Sequence, residues 1–117
     1  MVIQFMDKKR IAVLGSINID FTLKVKDFPS PGETLSATDF KMVPGGKGAN
    51  QAVAAAKLGG EVSFYGMVGN DSFADKVRNS LSEVGVDSTY LQSRGPTTGF
   101  AFITVNDEGE NEIVIFP

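Results

Sequence analysis

The feature that most restricts the possible folds of this chain is an alternation of short apolar segments with helical ones. Residues 11–17, IAVLGSI, and residues 61–69 have the apolar, β-branched pattern of buried strands. Between them, residues 48–58 have small side chains on one helical face and end at a glycine pair. A second helical pattern begins after Asp71 and ends before Gly85. Strands that alternate with helices predict a parallel sheet with helices packed on it, an α/β fold.

Two further segments alternate apolar with polar residues, which is typical of half-exposed β ribbons. The first covers about residues 21–43. The second, about residues 98–116, has the pattern of a hairpin with a loop of roughly five residues. We therefore predict a partial Rossmann-like core at about residues 11–20 and 44–93, and a smaller β layer made of the two ribbons. Residues 1–117 fit one such unit.

Composition excludes several classes of function. Histidine and cysteine are both absent, so disulfides, thiolate or imidazole metal ligands and histidine-dependent catalysis are excluded, and we predict no metal site. The net charge of -3 disfavours nucleic acid or an anionic membrane as a partner. The charged residues 7–10 follow a short apolar start, the reverse of a signal peptide, and no apolar run approaches the ~20 residues of a membrane span. We expect a cytoplasmic location.

The first candidate site follows the first buried strand, at the sheet edge where open α/β sheets bind ligands. Residues 15–20 read GSINID there, and Asn18 and Asp20 would face the same side of an extended chain. A carboxylate accepts hydrogen bonds, and an amide both donates and accepts them, which suits the adjacent hydroxyls of a polyol. A turn shaped by Asn18 and Asp20 is an equally good explanation of the same residues.

The second candidate is the segment PGGKGANQA at residues 44–52, just before the first helix. Paired glycines let the backbone approach a ligand, and a helix N-terminus offers N–H groups and a partial positive charge. Lys47 adds a cation and Asn50 an amide, although an ordinary glycine-rich turn has the same pattern. The P-loop pattern is not met, because Gly48 follows Lys47 where Ser or Thr is required, and GxGxxG is not met either. The segment therefore does not indicate a nucleotide site.

Two other polar turns carry weaker indications. Residues 66–71, GMVGND, join a strand to the second helix, and they favour helix capping over a ligand site. The acidic turn at residues 107–110 lacks the spacing of an EF-hand loop and is predicted to be a solvated hairpin tip.

Four segments together resemble the ribokinase family of carbohydrate kinases in their order and spacing. They are GSINID at 15–20, PGET at 31–34, GGKGANQA at 45–52 and GMVGND at 66–71. The continuation KGANQA is more similar to the ribokinase subgroup, or its relatives acting on 2-deoxyribose, than to fructokinases or adenosine kinases. The resemblance implies a truncated ribokinase-like fold and, in the full-length family, ATP-dependent transfer of phosphate to the 5-hydroxyl of D-ribose.

By this resemblance, the residues that contact the pentose hydroxyls are Asn18, Asp20, Gly46, Lys47 and Asn50. The two ribbons would form a lid over the sugar, and such a lid often pairs with that of a second subunit. The catalytic base and the ATP pocket of the family lie at positions that correspond to residues beyond 117, so we assign no catalytic residue and expect no phosphate transfer from these residues alone. The family's cofactors are ATP and Mg²⁺, with a monovalent cation, and we expect none of them to bind here well.

The expected partners are D-ribose or a similar pentose and a second copy of the chain, held through the lid or through exposed strand edges. The same residues are compatible with three functions: the sugar-binding part of a D-ribose kinase, a pentose-binding module without catalysis, and a dimerising lid with a vestigial site. Ribose, 2-deoxyribose and other sugars or nucleosides are all compatible with this pattern.

Overall fold

The structure, a computed structural model, describes residues 7–117, so the apolar start at residues 1–6 lies outside the described residues. The described chain is of the predicted α/β class, with strands and helices in the predicted order and one additional strand, β5. In chain order the elements are β1 (Arg10–Leu14), β2 (Asn18–Lys24), β3 (Asp39–Gly45), α1 (Lys47–Lys57), β4 (Glu61–Val68), α2 (Ser72–Glu83), β5 (Leu91–Ser93), β6 (Phe100–Val105) and β7 (Asn111–Phe116).

The strands form two sheets. The parallel sheet has the order β1-β4-β5. The second sheet has the order β3-β2-β6-β7, in which β2 and β6 run parallel and the other neighbours antiparallel. The predicted combination of a parallel core sheet with a second β layer is confirmed. The prediction that this layer is the smaller one is wrong, because it has four strands and the parallel sheet has three.

Both helices cover the core through short or branched apolar side chains, α1 against β1 and β4 and α2 also against β2 and β3 of the second sheet. The buried face of α1 consists of Gly48, Ala49 and Ala52, and these small residues let the helix approach the parallel sheet very closely. The buried face of α2 carries Val77 and Leu81, which join Val62 and Phe64 of β4 in the core, among others. Burial of each such large side chain stabilises the fold by about 1.5–3 kcal/mol. Within residues 7–117, no helix is long and apolar enough to cross a membrane.

Strand β2 begins at Asn18, three residues before the predicted ribbon. The alternation of polar with apolar residues already starts there, and the N–H of Ile19 donates to the carbonyl of Gly99 at 2.9 Å. Strand β1 correspondingly ends at Leu14 rather than at residue 17. Asn18 and Asp20 therefore lie in the second sheet, and the alternative that they shape a turn is wrong.

Strand β5 is an element that the sequence pattern does not predict, because it has only three residues. Contacts from distant parts of the chain hold it in place. The Arg78 guanidinium on α2 donates to the carbonyl of Leu91 at 2.8 Å and to the Ser93 hydroxyl at 3.1 Å. Next to the strand, the ring of Tyr90 stacks on Tyr65 with centroids 4.7 Å apart.

Candidate functional site

A cleft of about 850 Å³ lies where the carboxyl end of β1, the N-terminus of α1 and one face of the second sheet meet. All of the sequence-predicted site residues line it. They are Asn18, Asp20, Gly46, Lys47 and Asn50. The structure thus brings together two segments that are far apart in sequence.

Asn18 and Asp20 form a hydrogen-bonded pair on the cleft face of β2. The Asn18 side-chain amide donates to Oδ1 of Asp20 at 2.7 Å, so the predicted orientation to one side is correct. Asn18 is paired across the sheet with Gly45 of β3. A Cβ atom at Gly45 would collide with the Asp20 carboxylate, so the absence of a side chain there makes room for the acid.

Partial burial is the main influence on the pKa of Asp20. Desolvation raises the pKa of the Asp20 carboxyl above its ordinary value, and the hydrogen bond from Asn18 acts in the opposite direction. A desolvated carboxylate is a strong acceptor for hydroxyl groups, because few waters compete for its oxygens.

The N-terminus of α1 reaches the cleft through Gly46. Gly46 has a φ of 100°, and a Cβ there would lie 2.7 Å from both Oδ1 of Asn18 and the carbonyl of Ser16. The N–H of Ala49 donates to the same Ser16 carbonyl at 3.0 Å, which ties the helix start to the loop after β1. The first turn of α1 contains no acidic side chain, so the positive end of the helix dipole is not neutralised from within the helix.

Lys47 and Asn50 lie on the first turn of α1, three positions apart, and are therefore neighbours on the helix surface. Both side chains are exposed and line the cleft. They provide an ammonium group and an amide opposite an acceptor-rich pair on β2.

An apolar wall completes the cleft, and sequence reasoning missed it. Asp20 is paired with Ala101 of β6, which is paired with Ile115 of β7. Ile103 and Ile113 are the next pair on the same face, since side chains alternate along a strand. All four apolar residues line the cleft. The alternation in β6 and β7 is visible in the sequence, but the pairing that sets them beside Asp20 is not.

The turn at residues 66–71 divides between the cleft and the second helix. Gly66, Met67 and Val68 line the cleft, whereas Asn70 and Asp71 do not. Asp71 is the N-cap of α2 and accepts a hydrogen bond from the N–H of Ala74 at 3.1 Å, as the capping interpretation predicts. The acidic residues at 107–110 are exposed at the tip of the β6–β7 hairpin, also as predicted.

Replacing Asp71 by asparagine is expected to make the free energy of unfolding less dependent on pH in the acid range. Partial burial acts to raise the pKa of Asp71, but hydrogen bonds from Thr98, Ala74 and Phe73 together hold it below its ordinary value. A carboxyl with a depressed pKa in the folded state stabilises the fold above its unfolded pKa of about 3.9, and this contribution is lost as the pH falls through the folded value. Urea unfolding across the acid range should show a steeper loss below about pH 4 in the unmodified chain than in Asp71→Asn. Equal pH dependence of the free energy of unfolding in the two chains would contradict the lowered pKa of Asp71.

The sequence profile of the pfkB family of carbohydrate kinases matches residues 8–117. The chain belongs to this family. Ribokinase of Haemophilus influenzae is 44% identical over 109 residues, or 92% of the chain, and deoxyribokinase of Salmonella typhimurium is 45% identical over 106 residues, or 90%. The solved structure of Arabidopsis thaliana ribokinase complexed with ribose and ATP superimposes with a TM-score of 0.80 at 35% identity, over 95% of the chain. The predicted resemblance and the ribokinase-like fold are confirmed.

The pfkB chain described here spans only about a third of these relatives. It covers 36% of the Haemophilus ribokinase, 35% of the Salmonella deoxyribokinase and 36% of the Arabidopsis chain. The match therefore establishes the family and the local fold, and the activity of the whole relatives is a separate matter.

Proposed function

We propose that this chain forms the sugar-binding part of an ATP-dependent kinase that phosphorylates D-ribose on its 5-hydroxyl. The observation that carries the proposal is the convergence of five polar or glycine positions from β2 and α1 on one cleft. Membership of a carbohydrate kinase family and similarity to a ribokinase complexed with ribose and ATP support the same substrate class.

A pentose matches this cleft because it has a polar edge and an apolar surface. In the proposed complex, its hydroxyls donate to Asp20 and accept from Asn18 and from the donors at the start of α1. Its C–H groups pack on the apolar wall formed by Ala101 and Ile115 and their neighbours. Each hydrogen bond to the charged Asp20 contributes about 1.5–3 kcal/mol.

Residues 7–117 do not fit a Mg²⁺–nucleotide site. Among them, no group of three or more acidic, histidine or cysteine side chains is placed to hold a metal ion. The start of α1 departs from the P-loop pattern at Gly48, and the described cleft lining contains one acidic side chain, Asp20. ATP and Mg²⁺, with a monovalent cation, are therefore proposed as cofactors of the family's whole enzymes, and no step of phosphoryl transfer is assigned to a residue of this chain.

A second candidate substrate is 2-deoxyribose, because the Salmonella deoxyribokinase is as similar to this chain as the Haemophilus ribokinase is. Parallel titrations with the two sugars separate these candidates. A higher affinity for 2-deoxyribose would change the proposed substrate but not the proposed site.

The position of the sugar is tested by amide NMR of the chain with added D-ribose. We expect shifts at Gly46, Lys47, Gly99 and Ala101, which surround the cleft, and none at Gly109 on the hairpin tip. Shifts confined to residues outside the cleft, or no shifts in a folded sample, would contradict the proposal.

The opposite face of the second sheet is proposed to bind a second copy of the chain. Met42, Phe21, Phe102 and Val114 form one row across the four strands. Phe102 is 52% exposed and Val114 70% exposed. Phe21 is half-buried against α2, so the exposed apolar surface is concentrated on β6 and β7. Beside it, an apolar depression of about 460 Å³ is bounded in part by Leu23, Val25 and Leu35. Covering such a surface with another copy removes its apolar side chains from water.

Replacing Phe102 by aspartate is expected to weaken self-association by about tenfold or more, because an aromatic side chain at an interface centre contributes about 2 kcal/mol. Light scattering at increasing concentration measures the effect. Leu58→Asp is the matched control, because Leu58 is 89% exposed at the end of α1 and lies outside the second sheet. A monomeric unmodified chain, or equal effects of the two substitutions, would contradict this interface.

A further inference from the structure

Asp71 lies outside the cleft but is bonded to the segment that leads into it. Its Oδ2 accepts from the N–H of Thr98 at 2.6 Å, and its Oδ1 accepts from the Thr98 hydroxyl at 2.7 Å. Thr98 is only 1% exposed and Asp71 is half-buried, so water reaches these bonds only from the side of Asp71. The helix cap uses only part of this carboxylate.

Thr98 lies at a crossing between the two sheets. The chain passes between the second sheet and the rest of the fold at three points: residues 15–17, Gly46 and residues 94–99. The last crossing is the longest, and Thr98 is followed by Gly99, whose carbonyl accepts from the N–H of Ile19 at 2.9 Å. Ile19 lies between Asn18 and Asp20, so Asp71 is two hydrogen-bonded steps from the polar pair of the cleft.

Gly69 strengthens the same junction from the other side. Its N–H donates to the Thr98 hydroxyl at 3.1 Å, and a Cβ at Gly69 would collide with the backbone of Thr97 and Thr98. The turn between β4 and α2 therefore contacts the crossing directly through its backbone. A capping role alone does not require this contact.

We propose that Asp71 is a positioning residue that, through Thr98, holds the second sheet at a fixed distance over the cleft. The apolar wall on β6 and β7 and the polar groups at the start of α1 would then stay at a separation that fits one pentose. The effect on sugar affinity rests on the proposed function, whereas the effect on the crossing does not.

Two substitutions separate positioning from capping. Asp71→Ser retains a good N-cap residue but is too short to keep both bonds to Thr98. Thr98→Val removes the hydroxyl with little change of shape. Thr89→Val is the matched control, because the Thr89 hydroxyl donates to Asp87 at 2.6 Å in an exposed turn away from the cleft.

Amide hydrogen exchange without ligand is the first readout. We expect the Ile19 amide to exchange at least about tenfold faster in Asp71→Ser and Thr98→Val, with Val86 at the end of α2 unchanged, because only the crossing opens locally. Thr98→Ser, which keeps both bonds, should restore slow exchange, and Thr89→Val should have no effect. Unchanged exchange of Ile19 in Thr98→Val, or equal acceleration of Ile19 and Val86, would overturn the inference.

Titration with D-ribose is the second readout. We expect Thr98→Val to bind at least about tenfold more weakly than the unmodified chain and Thr98→Ser to bind normally. If the unmodified chain binds and Thr98→Val binds equally well, the positioning role is wrong and the proposed site stands. If the unmodified chain does not bind, the proposed function fails, and the exchange experiment still decides the role of Asp71.

Discussion

Gly46→Ala is expected to lower the free energy of unfolding by about 3 kcal/mol or more. The φ of 100° alone costs a residue with a side chain about 1–3 kcal/mol. The added methyl group would also lie 2.7 Å from a backbone carbonyl, that of Ser16, and 2.9 Å from Cα of Ile17, and such overpacking costs about 1–3 kcal/mol more. Urea unfolding followed by circular dichroism measures the loss.

Gly59→Ala is the matched control for this substitution. Gly59 has a similar φ of 94°, but a methyl group added there would meet no atom within 4 Å beyond its chain neighbours. We therefore expect only the backbone cost, about 1–3 kcal/mol, without the additional cost of overpacking. Equal losses in the two variants would mean that the close approach between Gly46 and the loop after β1 is not important for the fold.

Asp20→Ala is expected to reduce the affinity for D-ribose by about tenfold to a hundredfold for each hydrogen bond lost, because bonds to a charged group contribute about 1.5–3 kcal/mol each. The fold should survive, because burial raises the pKa of Asp20 and the ionised acid is therefore not a source of stability. Asp39→Ala is the control, since Asp39 is exposed at the far end of the same sheet. Calorimetry measures affinity, and thermal unfolding checks the fold. Unchanged affinity in Asp20→Ala would contradict its role.

The sequence was sufficient for those parts of the candidate site that depend on local patterns. Asn18 and Asp20 are two residues apart in a strand, so their common orientation follows from strand geometry. Lys47 and Asn50 follow from the start of one helix, which the glycine pair indicates. The resemblance to the family predicts that both segments contribute to one sugar site. In the structure they line the same cleft.

The remaining features depend on long-range pairing, which a single sequence does not reveal. Ala101 and Ile115 line the cleft only because β6 pairs with β2 in one register, and a shift of one residue would turn them to the opposite face. Strand β5 is too short for its pattern to be recognised. Asp71 has the sequence signature of a helix cap, and its bonds to Thr98, 27 positions away, are visible only in the fold.

Calorimetric titration of this chain with D-ribose, carried to roughly tens of millimolar and run beside D-glucose, tests the proposed site most directly. The arrangement of Asp20, Asn18 and the start of α1 opposite the apolar wall predicts saturable binding of D-ribose with one site per chain and clearly weaker binding of D-glucose. Absence of binding to a chain shown to be folded, or equal binding of the two sugars, would contradict it.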